Sequence, residues 1–217
     1  MKKIGDILKG INEAGVISII RGIDSAYLEE TLEALYKGGI RCVEITMNTR
    51  NALAMIERTK ALYGDRFIVG AGTVLDEISA RQAILAGADF ILAPTLSSKV
   101  IEMCNLYEKL AVPGVFTPTE ALEAKKAGAQ LIKVFPVTNL GPQYIKDILG
   151  PLDQLNLLPV GGVSEENAAA YIKAGAFAIG VGSCLVSKKD VECQDFDKIS
   201  KKAKAIVDEV KVVRGGI

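Results

Sequence analysis

The stretch KAGAQLIKVFP, residues 126–136, joins the end of a helix to a short buried strand. Gly128 closes the helix, an apolar run follows from Leu131, and Pro136 ends it. The same arrangement recurs in KGGIRCVEIT (37–46), LAGADFILAP (85–94) and KAGAFAIGVG (173–182), a spacing of roughly 40 to 50 residues that marks an internal repeat. Between these four lie further short apolar runs, GVISIIRG (15–22), FIVGAGTV (67–74), AVPGVF (111–116) and NLLPVGGV (156–163). Eight strand candidates result, and the four evident repeats are the even-numbered ones.

The intervening segments carry helical periodicity. Leu28, Leu32, Leu35 and Tyr36 share a face within 26–36, the segment 120–127 reads as another helix, and SEENAAAYIKAG (164–175) opens on Ser164 as a cap and closes at Gly175. Eight alternating strand and helix units predict a (β/α)₈ TIM barrel, one domain spanning 1–217 with almost no insertions. An open doubly wound sheet is the other arrangement of such units. It lacks its usual G-x-G-x-x-G after the first strand, and GAGTV does not have that spacing. A helix over 1–13, with Ile4, Ile7, Leu8 and Ile11 on one face, precedes strand one and is expected to cover the barrel bottom. The eighth helix is expected over 196–213, with Lys201, Lys202 and Lys204 as a solvated face.

Composition narrows the chemistry. Lys plus Arg and Asp plus Glu both number 26, so no net field recruits nucleic acid or an acidic membrane surface. Cys42, Cys104, Cys184 and Cys193 are scattered without a C-x-x-C pair, and the start MKKIGDILKG has charges scattered through it in place of the apolar run expected of a secretory leader. With no long apolar run either, the expectation is a cytoplasmic protein with free thiols. There is no histidine. The usual neutral-pH proton shuttle and the commonest zinc ligand are missing, which leaves carboxylate, lysine or cysteine to act.

Lys133 is the anomaly in the opening stretch, because an unpaired buried charge costs several kcal/mol. Strand periodicity resolves where it points. Ile132 and Val134 belong under the helices, so Leu131, Lys133 and Phe135 face the interior; Val43 and Ile45 likewise turn outward and leave Cys42, Glu44 and Thr46 inside. Arg21 and Thr73 close strands one and three, and Pro94, Thr95 and Thr117 lie at the ends of strands four and five. VGGV (160–163) and GVGS (180–183) end strands seven and eight before further helix starts, where free N–H groups suit an anion. Each residue also has a plain structural reading: a snorkelling lysine, an ion-paired glutamate, turn glycines. All of them fall on one rim of the predicted barrel, which favours the functional one.

Taken in order, IIRGI, VEIT, GAGTV, AP (93–94), PGVFTPTE, IKVFP, GPQYIK, VGGV and VGS resemble the Schiff-base aldolases of 2-keto-3-deoxy-6-phosphogluconate, 2-keto-3-deoxy-6-phosphogalactonate and 4-hydroxy-2-oxoglutarate. The resemblance spans 16–186. It implies Lys133 as the Schiff-base amine and Glu44 as acid/base. Pyruvate would be held by Arg21, Thr73, Phe135 and Pro94, and phosphate by Gly161, Gly162, Gly182 and Ser183. It further implies no cofactor and no metal, a phosphorylated keto sugar acid as substrate, and a homotrimer. Two positions depart from the gluconate-type pattern: Asn48 stands where many members have a second arginine, and Val160, the specificity position, replaces a threonine as in galactonate-type enzymes. A phosphosugar isomerase or epimerase, or a non-catalytic phospholigand-binding barrel, would use the same rim without a covalent adduct.

Overall fold

The computed structural model describes residues 3–215. Among them are nine strands: β1 (Val16–Ile20), β2 (Cys42–Thr46), β3 (Ile68–Gly72), β4 (Phe90–Leu92), β5 (Leu110–Val112), β6 (Gly114–Val115), β7 (Ile132–Val134), β8 (Leu157–Pro159) and β9 (Ile179–Val181). Helix α1 (Ile4–Ala14) precedes β1, and α2 (Leu28–Lys37), α3 (Ala52–Tyr63), α4 (Glu77–Leu85) and α5 (Ser98–Leu106) alternate with the next strands. After β6 come α6 (Pro118–Lys126), α7 (Gly141–Leu149) and α8 (Glu165–Lys173), and after β9 come α9 (Lys188–Glu192) and α10 (Phe196–Gly215). The predicted first helix is present from Ile4; its first two residues, 1 and 2, lie outside the described part.

The closed eight-stranded barrel expected from the repeats does not form. The strands make two parallel sheets, one of six in the order β5-β4-β3-β2-β1-β9 and one of three in the order β6-β7-β8. Proline accounts for both seams. The fifth predicted strand is interrupted at Pro113, which has no N–H for the ladder, so β5 pairs with β4 while β6 pairs with β7. At the other seam β8 ends on Pro159, and Gly161 (φ 92°) and Gly162 (φ 75°) then turn the chain away. A bridge between Val160 and Gly180 and a hydrogen bond from Phe177 N–H to the Leu157 carbonyl at 2.9 Å link that edge to the β9 side without extending the sheet.

Side-chain alternation survives this correction and divides the apolar core in two. Ile17, Ile19, Cys42, Leu131, Leu158 and Val160 belong to an inner cluster shared by the two sheets, and Ile7 and Ile11 of α1 pack into it. Val43, Ile45, Ile132 and Val134 belong to the outer cluster beneath the helices. Each fully buried Leu or Ile is worth about 1.5–3 kcal/mol over exposure, which makes a one-residue slip of any strand costly and fixes which side chains face inward. Lys133 and Glu44 are therefore held on the inner faces by their apolar neighbours.

Local caps then set the loops at the strand ends. Thr117 caps α6, with Glu120 accepting from the backbone N–H of Phe116 and Thr117 at 2.7 and 2.8 Å. Asn167 accepts from Ser164 N–H at 2.9 Å and donates to the Gly162 carbonyl at 2.9 Å, which ties the paired glycines to the start of α8. No helix among the described residues is long and apolar enough to cross a membrane.

Candidate active site

Lys133 lies at the centre of β7, flanked by Gly114 of β6 and Leu158 of β8. Only 3% of it is exposed. Its Nζ sits 4.4 Å from the centroid of the Phe135 ring, a contact that favours the charged amine. Burial works the other way and is the larger influence, with Arg21 adding to it, so that the pKa of Lys133 falls below the ordinary lysine value despite the opposing pull of Glu44.

Glu44 occupies the middle of β2, between Ile19 of β1 and Gly70 of β3. It is 1% exposed, and its Oε2 has no hydrogen-bond partner among the described residues. The room for its carboxyl group comes from Gly72. A Cβ there would lie 1.5 Å from Glu44 Oε1, so no other residue type fits at that position while the carboxylate stays where it is. Desolvation dominates again: the Glu44 pKa rises from 4.5 to about 7, although Lys133 and Arg21 both pull it down. An acid and an amine thus share the interior with their proton affinities moved toward each other. Near neutral pH Glu44 can give or take a proton at little cost, which is what general acid–base work requires, and the amine gives up its proton more readily than an exposed lysine.

Arg21 follows β1 on the same face as Ile17 and Ile19, and its Nη2 donates to Thr73 Oγ1 at 3.2 Å. Thr73 has φ 56°, an unusual conformation for a β-branched residue. That turn of the backbone brings the hydroxyl and the guanidinium together at the ends of β1 and β3. A cation beside a hydroxyl can hold a carboxylate.

A cleft of about 270 Å³ opens at the same strand ends. Arg21, Phe135, Val160, Gly161, Gly162, Gly182 and Ser183 line it together, which unites seven of the residues singled out in the sequence. Val160 packs with its Cγ2 where a Cβ on Gly180 would come within 2.7 Å, so the glycine at 180 gives the valine its place at the cleft wall. Lys133, Glu44 and Thr73 are not part of the cleft wall; Lys133 adjoins it through the Phe135 ring, which lines the cleft and lies against the amine. Pro94 is not part of the cleft wall; its backbone presses on Gly114, where a Cβ would come within 2.4 Å of the Pro94 carbonyl carbon. Thr117 is committed to capping α6.

Two polar residues of the cleft escaped sequence reasoning, Cys184 and Lys188. They lie past the end of β9, in a turn where Leu185 and Val186 donate to the Gly182 carbonyl. Strand periodicity carries no information there. The one available signal was the pair of lysines following a phosphate-type glycine-serine turn.

Comparison with known proteins places this geometry. Residues 7–202 match the family described as KDPG and KHG aldolase. The 2-dehydro-3-deoxy-6-phosphogalactonate aldolase of Escherichia coli (strain K12) is 37% identical over 171 residues, 78% of this chain and 83% of the relative. The 2-dehydro-3-deoxy-phosphogluconate aldolase of Haemophilus influenzae is 30% identical over 209 residues, 94% of this chain and 97% of the relative. Among solved structures, the KDPG aldolase of Legionella pneumophila, with pyruvate captured as a covalent carbinolamine, superimposes with a TM-score of 0.84 at 25% identity, covering 94% of this chain and 98% of that one.

Proposed function

The chain belongs to the KDPG and KHG aldolase family, and from that premise we propose that it cleaves a 2-keto-3-deoxy-6-phospho sugar acid to pyruvate and glyceraldehyde 3-phosphate through a Schiff base on Lys133. The observation that carries this reading is the buried amine of Lys133, lowered in pKa and facing an equally buried Glu44 whose pKa lies near 7. A neutral amine is the nucleophile such chemistry needs.

Lys133 Nζ attacks the C2 carbonyl carbon and gives a carbinolamine. Protonated Glu44 supplies the proton with which the C2 hydroxyl leaves as water, and the iminium forms. The carboxylate then takes the C4 hydroxyl proton, directly or through a water. The C3–C4 bond breaks, and its electron pair moves onto the iminium to give an enamine while the aldehyde departs. Protonation at C3 and hydrolysis release pyruvate and restore the amine. Arg21 and Thr73 hold the pyruvate carboxylate, with Phe135 against the three-carbon unit and Pro94 supporting the strand end. Gly161, Gly162, Gly182 and Ser183 receive the phosphate, and Val160 faces the carbon chain between the two ends. The apolar wall that Val160 makes, together with Asn48 in place of a second arginine, supports the galactonate-type acid as the preferred epimer.

We further propose a homotrimer in the cytoplasm. Ile78 and Leu85 on α4 and Leu106 on α5 are 62–75% exposed, with Leu75 just before α4 at 61%, and these apolar side chains support a face that further copies of the chain would cover.

Borohydride reduction in the presence of pyruvate tests the central claim. The adduct is expected on the peptide carrying Lys133, and an adduct elsewhere, or none, would return the chain to the isomerase or binding-barrel readings, which make no covalent bond.

A further inference from the structure

We infer that Lys188 is the side chain that reads the charge of the substrate's distal phosphate, and so sets the preference for phosphorylated over unphosphorylated keto acids. The inference rests on the aldolase reading and adds a residue to it.

Only two side chains lining the 270 Å³ cleft carry a charge, Arg21 and Lys188. Arg21 is engaged with Thr73 at the end nearer Lys133 and Glu44. The glycine loops at 161–162 and 182 offer a phosphate dianion backbone N–H groups but no countercharge, and Ser183 offers a neutral hydroxyl. The start of α8, which follows the paired glycines, adds Glu165 and Glu166 and no cation. Lys188 supplies the missing cation on the same wall.

Its position is built, although its side chain is loose. Ser187 caps α9, accepting from Asp190 N–H at 3.0 Å. Asp190 is itself 4% exposed and takes Lys198 and Lys202 of α10 on its two oxygens at 2.7 Å each. The backbone at 188 is therefore pinned to the long terminal helix. The Lys188 side chain keeps only a 3.7 Å approach to Glu192, with both partners at least 60% exposed, a pairing worth little in water. A lysine in the first turn also runs against the preference of helix starts for acidic groups. A fixed stem with an uncommitted ammonium suits transient capture of a dianion.

Calorimetric binding of glycerol 3-phosphate tests the site without turnover. The Lys188→Ala protein should bind it about tenfold more weakly, as expected for one partly screened charge-assisted contact, and Lys188→Arg should restore most of the affinity. In kinetics the Ala variant should raise KM for the phosphorylated acid and leave kcat, and kcat/KM for 4-hydroxy-2-oxoglutarate, within about twofold. No binding of glycerol 3-phosphate by the unmodified protein, unchanged binding in the Ala variant, or equal losses on both substrates would overturn the assignment. Pyruvate labelling of Lys133 does not involve residue 188, so failure there would strike the aldolase reading and leave the binding result to stand by itself.

Discussion

Two acid–amine pairs sit in the strand region, and they are treated oppositely. Asp89, just before β4, is 2% exposed and accepts from Lys60 Nζ on both oxygens at 2.6–2.7 Å and from Val69 N–H at 3.1 Å. Glu44 on β2 is as deeply buried, yet its Oε2 has no partner. The first carboxylate is met by donors on both oxygens, and those bonds tie α3 to β3 and to the start of β4. The second is denied donors, and its proton affinity rises until it can exchange a proton near neutral pH. Burial is common to both. Satisfaction of the lone pairs separates an acid that ties elements together from one left able to exchange a proton.

Breaking the working pair should have the largest effect. Lys133→Met removes the proposed nucleophile while keeping the bulk of the side chain. Turnover measured with a coupled pyruvate assay should fall below about 10⁻⁴ of the unmodified rate, and the midpoint of thermal unfolding should not drop, because a desolvated amine has been exchanged for an apolar chain. Breaking the structural pair should do the reverse. Asp89→Asn leaves Lys60 without its anion and is expected to cost on the order of 2–3 kcal/mol in urea unfolding, with kcat within about twofold of the unmodified enzyme.

Glu44→Gln sharpens the contrast through pH. The folded-state pKa of about 7 lies above the value of 4.5 expected unfolded, so the native state holds the proton more tightly and loses stability as pH rises from about 4.5 through 7. Below 4.5 both states are protonated and the glutamate carries no penalty. Above 7 the native state keeps a buried carboxylate at a cost of about 3 kcal/mol. Glutamine removes that cost, so its stabilising effect should grow across this window and level off above it, while kcat falls about 10²- to 10⁴-fold and the pyruvate adduct still forms. A glutamine variant no more stable at pH 8 than at pH 4.5 would mean that Glu44 finds partners in solution as Asp89 does.

The smallest effect is expected at the rim. Gly162 has φ 75°, and a Cβ there would meet Thr138 Cα at 2.9 Å. Gly162→Ala should cost about 1–2 kcal/mol of stability and raise KM for the phosphorylated substrate, with kcat nearly unchanged. Equal loss of kcat would show that the loop shapes the reacting end as well.

Much of this was legible in the chain itself, for reasons specific to each element. The lysine in LIKVFP and the glutamate in CVEIT could be turned inward by counting twos, because aliphatic neighbours on the opposite face leave them no other direction. The glycines at 161 and 162 were recognisable as turn residues, and Ser164 as a cap. The helix ahead of β1 was visible in its apolar stripe. Lys188 was not, since a residue beyond a strand end obeys no period. Nor was the isolation of Glu44 Oε2, which depends on what the strands around it fail to offer.

The amino-acid sequence by itself determined the alternation of strands and helices and the inward set of side chains, Lys133 and Glu44 among them, because these follow from local periodicity and from the cost of placing aliphatic groups in water. The tertiary structure alone decided how the sheets end and how the charges are met. Two prolines without N–H groups split the expected ring into sheets of six and three strands, and the packing of Glu44 over Gly72 left a carboxyl group with too few donors. Both outcomes depend on which backbone donors happen to lie across a gap, and that is a property of the assembled strands.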